Sequence, residues 1–169
     1  MAKLAIDSQI EEEKQASIFD VVVNFFKENN WSFLQHETEP ILRMGYQGEN
    51  GDWTCTVRTR EEPSQFVFYS VCPVNIPPKK RLAIAEFLTR VNFGLIIGNF
   101  EMDLQDGEVR YKTYGIGGAE NSLDLPIIGR LIFINTMTMD KYLPSIMSVV
   151  YANVSIDEAI KQIEQQVDS

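Results

Sequence analysis

The sequence predicts an α+β fold, a sheet of about five antiparallel strands packed by helices in the order α–βββ–α–ββ–αα. Three observations predict it. Two tight hairpin signals, GENGD at 48–52 and Asp106-Gly107, join runs of alternating apolar and polar residues. Helical stripes stand before, between and after those runs. Helices are too sparse between the strands to supply the crossovers of a parallel sheet.

The start of the first helix has two candidates, because Ser8 with Glu11 and Ser17 with Asp20 both have capping-box spacing. From there Ile18, Phe19, Val22, Phe25 and Phe26 share one face, and Asn29-Asn30 ends the helix. Residues 31–36 are short and extended, and Glu39-Pro40 breaks them. Residues 41–46 and 53–57 alternate. A four-residue loop over 48–51 pairs Tyr46 with Trp53, Met44 with Cys55 and Leu42 with Val57. A two-residue Asn50-Gly51 loop would set Arg43 against Arg58, so the longer loop is preferred. After a turn around Pro63, residues 65–72 are apolar on both parities. That fits a central strand covered on both sides, or on one side with a partner.

Pro77 and Pro78 suit the entry of a second helix running to about Phe93, with Ile84, Phe87, Leu88 and Val91 inward and Gly94 as its stop. Residues 99–115 read as a hairpin on a two-residue Asp106-Gly107 turn, a pair that tolerates the positive φ angles of type I′. This register sets Leu104 opposite Val109 and Met102 opposite Tyr111 on an apolar face. Asp103 meets Arg110 and Glu101 meets Lys112 on the other. Residues 115–122 form a glycine-rich loop. Pro126 opens a strongly apolar helical stretch, 127 to about 137. Thr136 or Thr138 could cap a continuation to Tyr151, which Pro144 should kink or break. Ser155 and Glu158 form a capping box for a closing helix with the stripe Ile156, Ala159, Ile160, Ile163 and Val167. Residues 1–14 therefore stand as a polar segment ahead of a single domain, 15–169.

A chain of 169 residues, 44% of them hydrophobic, can build a sizeable core. The net charge is −9. Most of the acidic excess lies in 1–30, with three basic and six acidic residues, and in 155–169, with one basic and four acidic. An acidic balance without a basic stripe argues against nucleic acid, which is gripped by neutralising phosphates, and against an anionic membrane surface. The N-terminus lacks the continuous apolar core of a signal peptide, and the longest apolar run, 123–134, is too short and interrupted to span a bilayer. The expected compartment is the cytoplasm, with Cys55 and Cys72 reduced.

Several segments carry a family resemblance. They are the proline-initiated helix ending in Arg90-Val91-Asn92, then Gly98-Asn99-Phe100-Glu101-Met102-Asp103, then Asp106-Gly107-Glu108-Val109-Arg110-Tyr111. Tyr142-Leu143-Pro144 and the helix start at 155–160 continue the series. In this order, over roughly residues 15 to 165, the chain resembles the bacterial YbjN-domain family. The resemblance implies a fold like that of type III secretion chaperones, small acidic proteins, usually dimeric, that hold an extended segment of a client. It implies a role in sensory-transduction regulation and brings no catalytic residues.

The residues themselves point to no reaction. His36, the only histidine, sits beside a turn among polar neighbours and reads as solvated. Cys55 and Cys72 have strand parity that suits small core side chains, and no cationic neighbour is evident to activate a thiol. Gly115-Ile116-Gly117-Gly118 lacks both the dinucleotide and the P-loop spacing. Glu101, Asp103 and Asp106 lack the spacing of a calcium loop. No catalytic, cofactor or metal residues are therefore assigned. Two groups remain. Lys79, Lys80 and Arg81 form the one basic cluster, at a helix N-terminus suited to an anion. Ile128, Leu131, Ile132 and Phe133 belong to a helix more apolar than a one-sided surface helix needs. Such a helix is either fully buried or meets another subunit or a client.

The expected function is accordingly that of a non-enzymatic, chaperone-like or adaptor protein, a homodimer that binds another polypeptide in signalling or stress adaptation. The competing reading is a small-molecule sensor or an enzyme with a pocket between helices and sheet.

Overall fold

The computed structural model describes residues 16–117 and 123–165. The capping-box candidate at Ser8 and Glu11, the rest of the polar segment 1–14, and Val167 of the closing stripe lie outside these residues.

Helix α1 (Ile18–Glu28) uses the second candidate start, with the Ser17 hydroxyl accepting from the Asp20 N–H at 3.1 Å. Strands β1 (Leu34–Gln35), β2 (Ile41–Gln47), β3 (Asp52–Glu61) and β4 (Ser64–Val71) follow. Then come a 3-10 turn (Pro78–Lys80), α2 (Arg81–Gly94), β5 (Asn99–Met102) and β6 (Val109–Ile116). Helices α3 (Leu125–Tyr151) and α4 (Ile156–Gln165) close the chain. The fold is α+β as expected. The sheet has six strands rather than five, all antiparallel, in the order β1-β2-β3-β4-β6-β5, because Leu34 and Gln35 add a short edge strand beside β2.

The hairpin of β2 and β3 keeps the expected register, Tyr46 opposite Trp53 and Met44 opposite Cys55. The hairpin of β5 and β6 does not. Met102 lies opposite Val109 and Glu101 opposite Arg110, two residues away from the two-residue-turn register. The loop has four residues, 104–107, and tertiary contacts impose it. The Arg81 guanidinium donates to the carbonyls of Leu104 and Gln105 at 2.9 and 3.1 Å, and the Ile76 N–H donates to the Gly107 carbonyl at 2.8 Å. The Asp103 carboxylate takes the Gln105 N–H at 2.7 Å instead of reaching Arg110. Gly107 has φ +84°, and a Cβ there would run into the Ile76 carbonyl. A shift of two preserves side-chain faces, so the apolar side stays apolar.

Two further boundaries differ from expectation. Gly115 and Ile116 are the last residues of β6, paired with Phe66 and Gln65, not the start of a loop. The stretch 127–151 is one helix, with Thr136 inside it and its hydroxyl bonded back to the Ile132 carbonyl at 3.2 Å. Pro144 does not split it. Proline has no N–H for the carbonyl four residues earlier, and the Asn50 side-chain amide, from the β2–β3 loop, donates to that Asp140 carbonyl at 3.2 Å. The buried Asp140 carboxylate in turn accepts the Asn50 backbone N–H at 2.9 Å.

The helices cover one face of the sheet. Phe66, Phe68, Tyr111, Phe87 and Ile146 fill the space between them and leave it closely packed. Asn135, fully buried, locks α3 to the sheet through its amide, bonded to the carbonyls of Phe68 and Tyr111 at 3.0 and 3.1 Å. Among the described residues the other face of the sheet carries no helix, and β4 is buried on one parity only.

Candidate functional site

Both cysteines are buried and free. Cys55 sits 3.5 Å from the Ser70 hydroxyl, and burial pushes its thiol from the ordinary 9.0 up to about 11. Burial raises Cys72 as well. Neither is a thiolate at neutral pH, the form a nucleophile needs. His36 is exposed, with its Nδ1 accepting the Glu39 N–H at 3.1 Å, a turn contact. Among the described residues no group of three His, Cys, Asp or Glu side chains gathers as metal ligands would.

The basic cluster is divided by the fold. The Lys80 ammonium donates to the Val149 carbonyl at 3.1 Å and to Asn153 at 2.6 Å. Arg81 holds the β5–β6 loop as described, and Lys79 alone points to water without such partners. Two of the three cations are thus structural ties between elements, and the anion contact expected of Lys79, Lys80 and Arg81 is reduced to Lys79.

The apolar helix is divided as well. Ile128 and Ile132 belong to the chain's own core, at 0% and 3% exposure, which corrects the expectation that they face a partner. Leu131 is half-buried, its carbonyl accepting from the Thr113 hydroxyl at 3.0 Å. Phe133 is 64% exposed, and Met137, four residues on, extends the same outward stripe along α3.

A second apolar group lies at the end of α2 and on the connector after it. The last turn of α2 exposes Phe93 at 95%, and the connector to β5 exposes Ile96 at 98%. It is not a loose loop. The Asn92 side chain clamps the Phe100 backbone through bonds of 2.8 and 3.0 Å, and the Tyr111 hydroxyl donates to the Ile97 carbonyl. That hydroxyl also neighbours Thr138, so the connector and the first half of α3 flank one tyrosine. The run FGLIIG at 93–98 was the sequence signal for this patch, and periodicity arguments pass over its residues 95–98 because they belong to no element.

The helix-free face of the sheet is the other candidate surface. Strand registers align Ile41, Arg58, Val67 and Tyr114 in one row, with Arg60, Gln65 and Ile116 beside it. A further row holds Arg43, Thr56, Tyr69, Lys112 and Asn99. Ile41, Arg58, Arg60, Val67, Lys112 and Tyr114 line an open concavity of about 930 Å³, lipped by Glu39 and Pro40. At its β5 side Glu101 pairs with Arg110 at 2.9 Å and with Lys112. Burial works to raise the Glu101 carboxyl, but the two cations hold it below its ordinary value. Arg43, Arg58 and Arg60 form no ion pair among the described residues.

These features define a helix-backed antiparallel α+β protein whose candidate sites are surfaces rather than a catalytic cleft. The chain belongs to the YbjN family: the family model described as "Putative bacterial sensory transduction regulator" matches residues 19–133. No curated protein matches the sequence. Among solved structures, the crystal structure of "YbjN, a putative transcription regulator from E. coli" is similar, with a TM-score of 0.56 over 72% of this chain and 85% of that one. At 10% identity this likeness speaks for the fold alone. Among the described residues no helix is long and apolar enough to cross a membrane.

Proposed function

We propose that this protein is a non-enzymatic, chaperone-like or adaptor member of its family that binds another polypeptide in the cytoplasm. A second copy covers the same surface when the client is absent. One observation carries the reading: Phe93 and Ile96 stand almost fully exposed at the end of α2 and on the connector that follows it, which bonds from Asn92 to Phe100 and from Tyr111 to Ile97 hold in place. Large apolar side chains clustered in water mark a surface meant to be covered. Burying each such side chain contributes about 1.5–3 kcal/mol. The ionisable residues support the same reading, since the thiols are buried and the one histidine serves a turn. The competing sensor or enzyme needs a pocket between helices and sheet, and that layer is occupied by the packed aromatic core.

The test replaces Phe93 and Ile96 together with serine and compares sedimentation velocity over a wide concentration range. Both positions point to water, so the folded circular dichroism spectrum is expected unchanged. The wild type is expected to associate with rising concentration and the double variant to stay monomeric. A wild type that remains strictly monomeric and gains no partner when an unfolded polypeptide is added would count against the reading.

A further inference from the structure

We propose that the concave, helix-free face of the sheet is the docking site of the chain's own first fifteen residues. This inference is independent of the apolar patch, which lies on the helical side. Three observations point to the occupant. The first is charge. In a chain of net charge −9, this face presents Arg43, Arg58, Arg60, Arg110 and Lys112 against the carboxylates of Glu39, Asp52, Glu101 and Glu108. Glu101 engages Arg110 and Lys112, and the three arginines of β2 and β3 are left without ion pairs among the described residues. Residues 1–15 contain the longest acidic run of the chain, Glu11-Glu12-Glu13.

The second observation is where that segment joins. The Glu61 carboxylate accepts the Ile18 N–H at 3.1 Å, which pins the start of α1 to the end of β3. Arg60 is the neighbouring residue, and Arg58 faces the same way one repeat further in. Extended chain advances about 3.3–3.6 Å per residue, so Glu13 to Glu11 reach about 17 to 25 Å from Ile18. That is far enough to round the β3–β4 turn and lie over both arginines. The third is the floor. Tyr114 and Ile116 are more than half exposed beside Val67. The segment supplies apolar side chains for that floor at Leu4, Ile6 and Ile10, ahead of its glutamates.

Other occupants fit less well. A second copy docked face to face would set arginine against arginine. A polynucleotide meets the repulsion of an acidic molecule, and the ring of Tyr69 is already covered by the Arg110 guanidinium at 4.5 Å. The covalent tether also favours the chain's own segment, since it makes the encounter intramolecular.

The test places p-benzoylphenylalanine at position 6 of the full chain, irradiates at low protein concentration and maps the adducts by mass spectrometry. Adducts within one chain to residues 65–69 or 110–116 are expected. Replacing Arg58 and Arg60 with glutamate should lower their yield by about fivefold, as the loss of two exposed ion pairs implies. Adding E11K/E12K/E13K to that background should restore it. Adducts between chains, to the helices, to the 93–97 connector or to co-purifying polynucleotide would overturn the proposal. So would the absence of adducts, a yield indifferent to R58E/R60E, or one that the charge swap fails to recover.

Discussion

At the scale of single residues, the chain repeatedly gives a buried polar group a partner from a distant element. Asp140 and Asn50 show it best. Pro144 frees the Asp140 carbonyl, and Asn50 supplies the donor that the helix cannot. Asn50→Ala leaves that carbonyl and the buried carboxylate short of donors, so unfolding free energy should fall by about 1–3 kcal/mol, read by urea denaturation. A neutral effect would mean that water replaces the amide. Cys55 predicts an alkaline limit. Its thiol is raised from 9.0 to about 11, so its contribution is fully present below pH 9 and is lost as pH rises towards 11. Melting temperature should fall over that window, and Cys55→Ala should flatten the fall. Of these residues, only the burial of Cys55 was legible from strand parity. The Asn50–Asp140 contact spans ninety positions, and no local pattern announces it.

At the scale of elements, local patterning decided which side chains share a face, and tertiary contacts decided register and length. The β2–β3 hairpin was legible because avoiding Arg43 against Arg58 selected one loop. The β5–β6 hairpin was misread by two residues because Arg81 and Ile76, from another element, hold a longer loop than Asp106-Gly107 alone prefers. Its charged face is still complementary, through Glu101 between Arg110 and Lys112 rather than through two separate pairs. With the Glu101 carboxyl below its ordinary value, this arrangement stabilises the hairpin above the usual carboxylate range and loses that contribution as pH falls through the lowered value. Glu101→Gln should therefore reduce stability at neutral pH and weaken its dependence on pH at the acid end, measured by thermal melts. An unchanged acid dependence would show that the two cations do not act on it. Helix α3 illustrates a different limit. Pro144 signalled a break, and the sequence could not show that a loop amide would take over the orphaned carbonyl.

At the scale of the whole molecule, the sheet separates two surfaces of different character. Behind it, helices bury an aromatic core and leave an apolar patch at Phe93 and Ile96, with Phe133 exposed on α3. In front, arginines line an open concavity. The sequence expected a partner surface on Ile128, Leu131, Ile132 and Phe133 of α3; the core claims Ile128 and Ile132, and Phe133 stays exposed. A helix apolar on every side does not say which stripe its own fold will cover. The front face was implicit in the registers already drawn, since pairing Leu42 with Val57 puts Arg43 and Arg58 on the opposite side. Acidic composition hid it, because a net charge reports the sum and not the distribution. The account's central claim is that the patch grips another polypeptide. The most direct measurement places a photo-crosslinking amino acid at Ile96 in living cells, with the isolated exposed Leu82 as control. The account predicts discrete polypeptide adducts at position 96 that are lost with F93S and absent at position 82. Equal labelling at both positions, or no polypeptide adduct at 96, would contradict it.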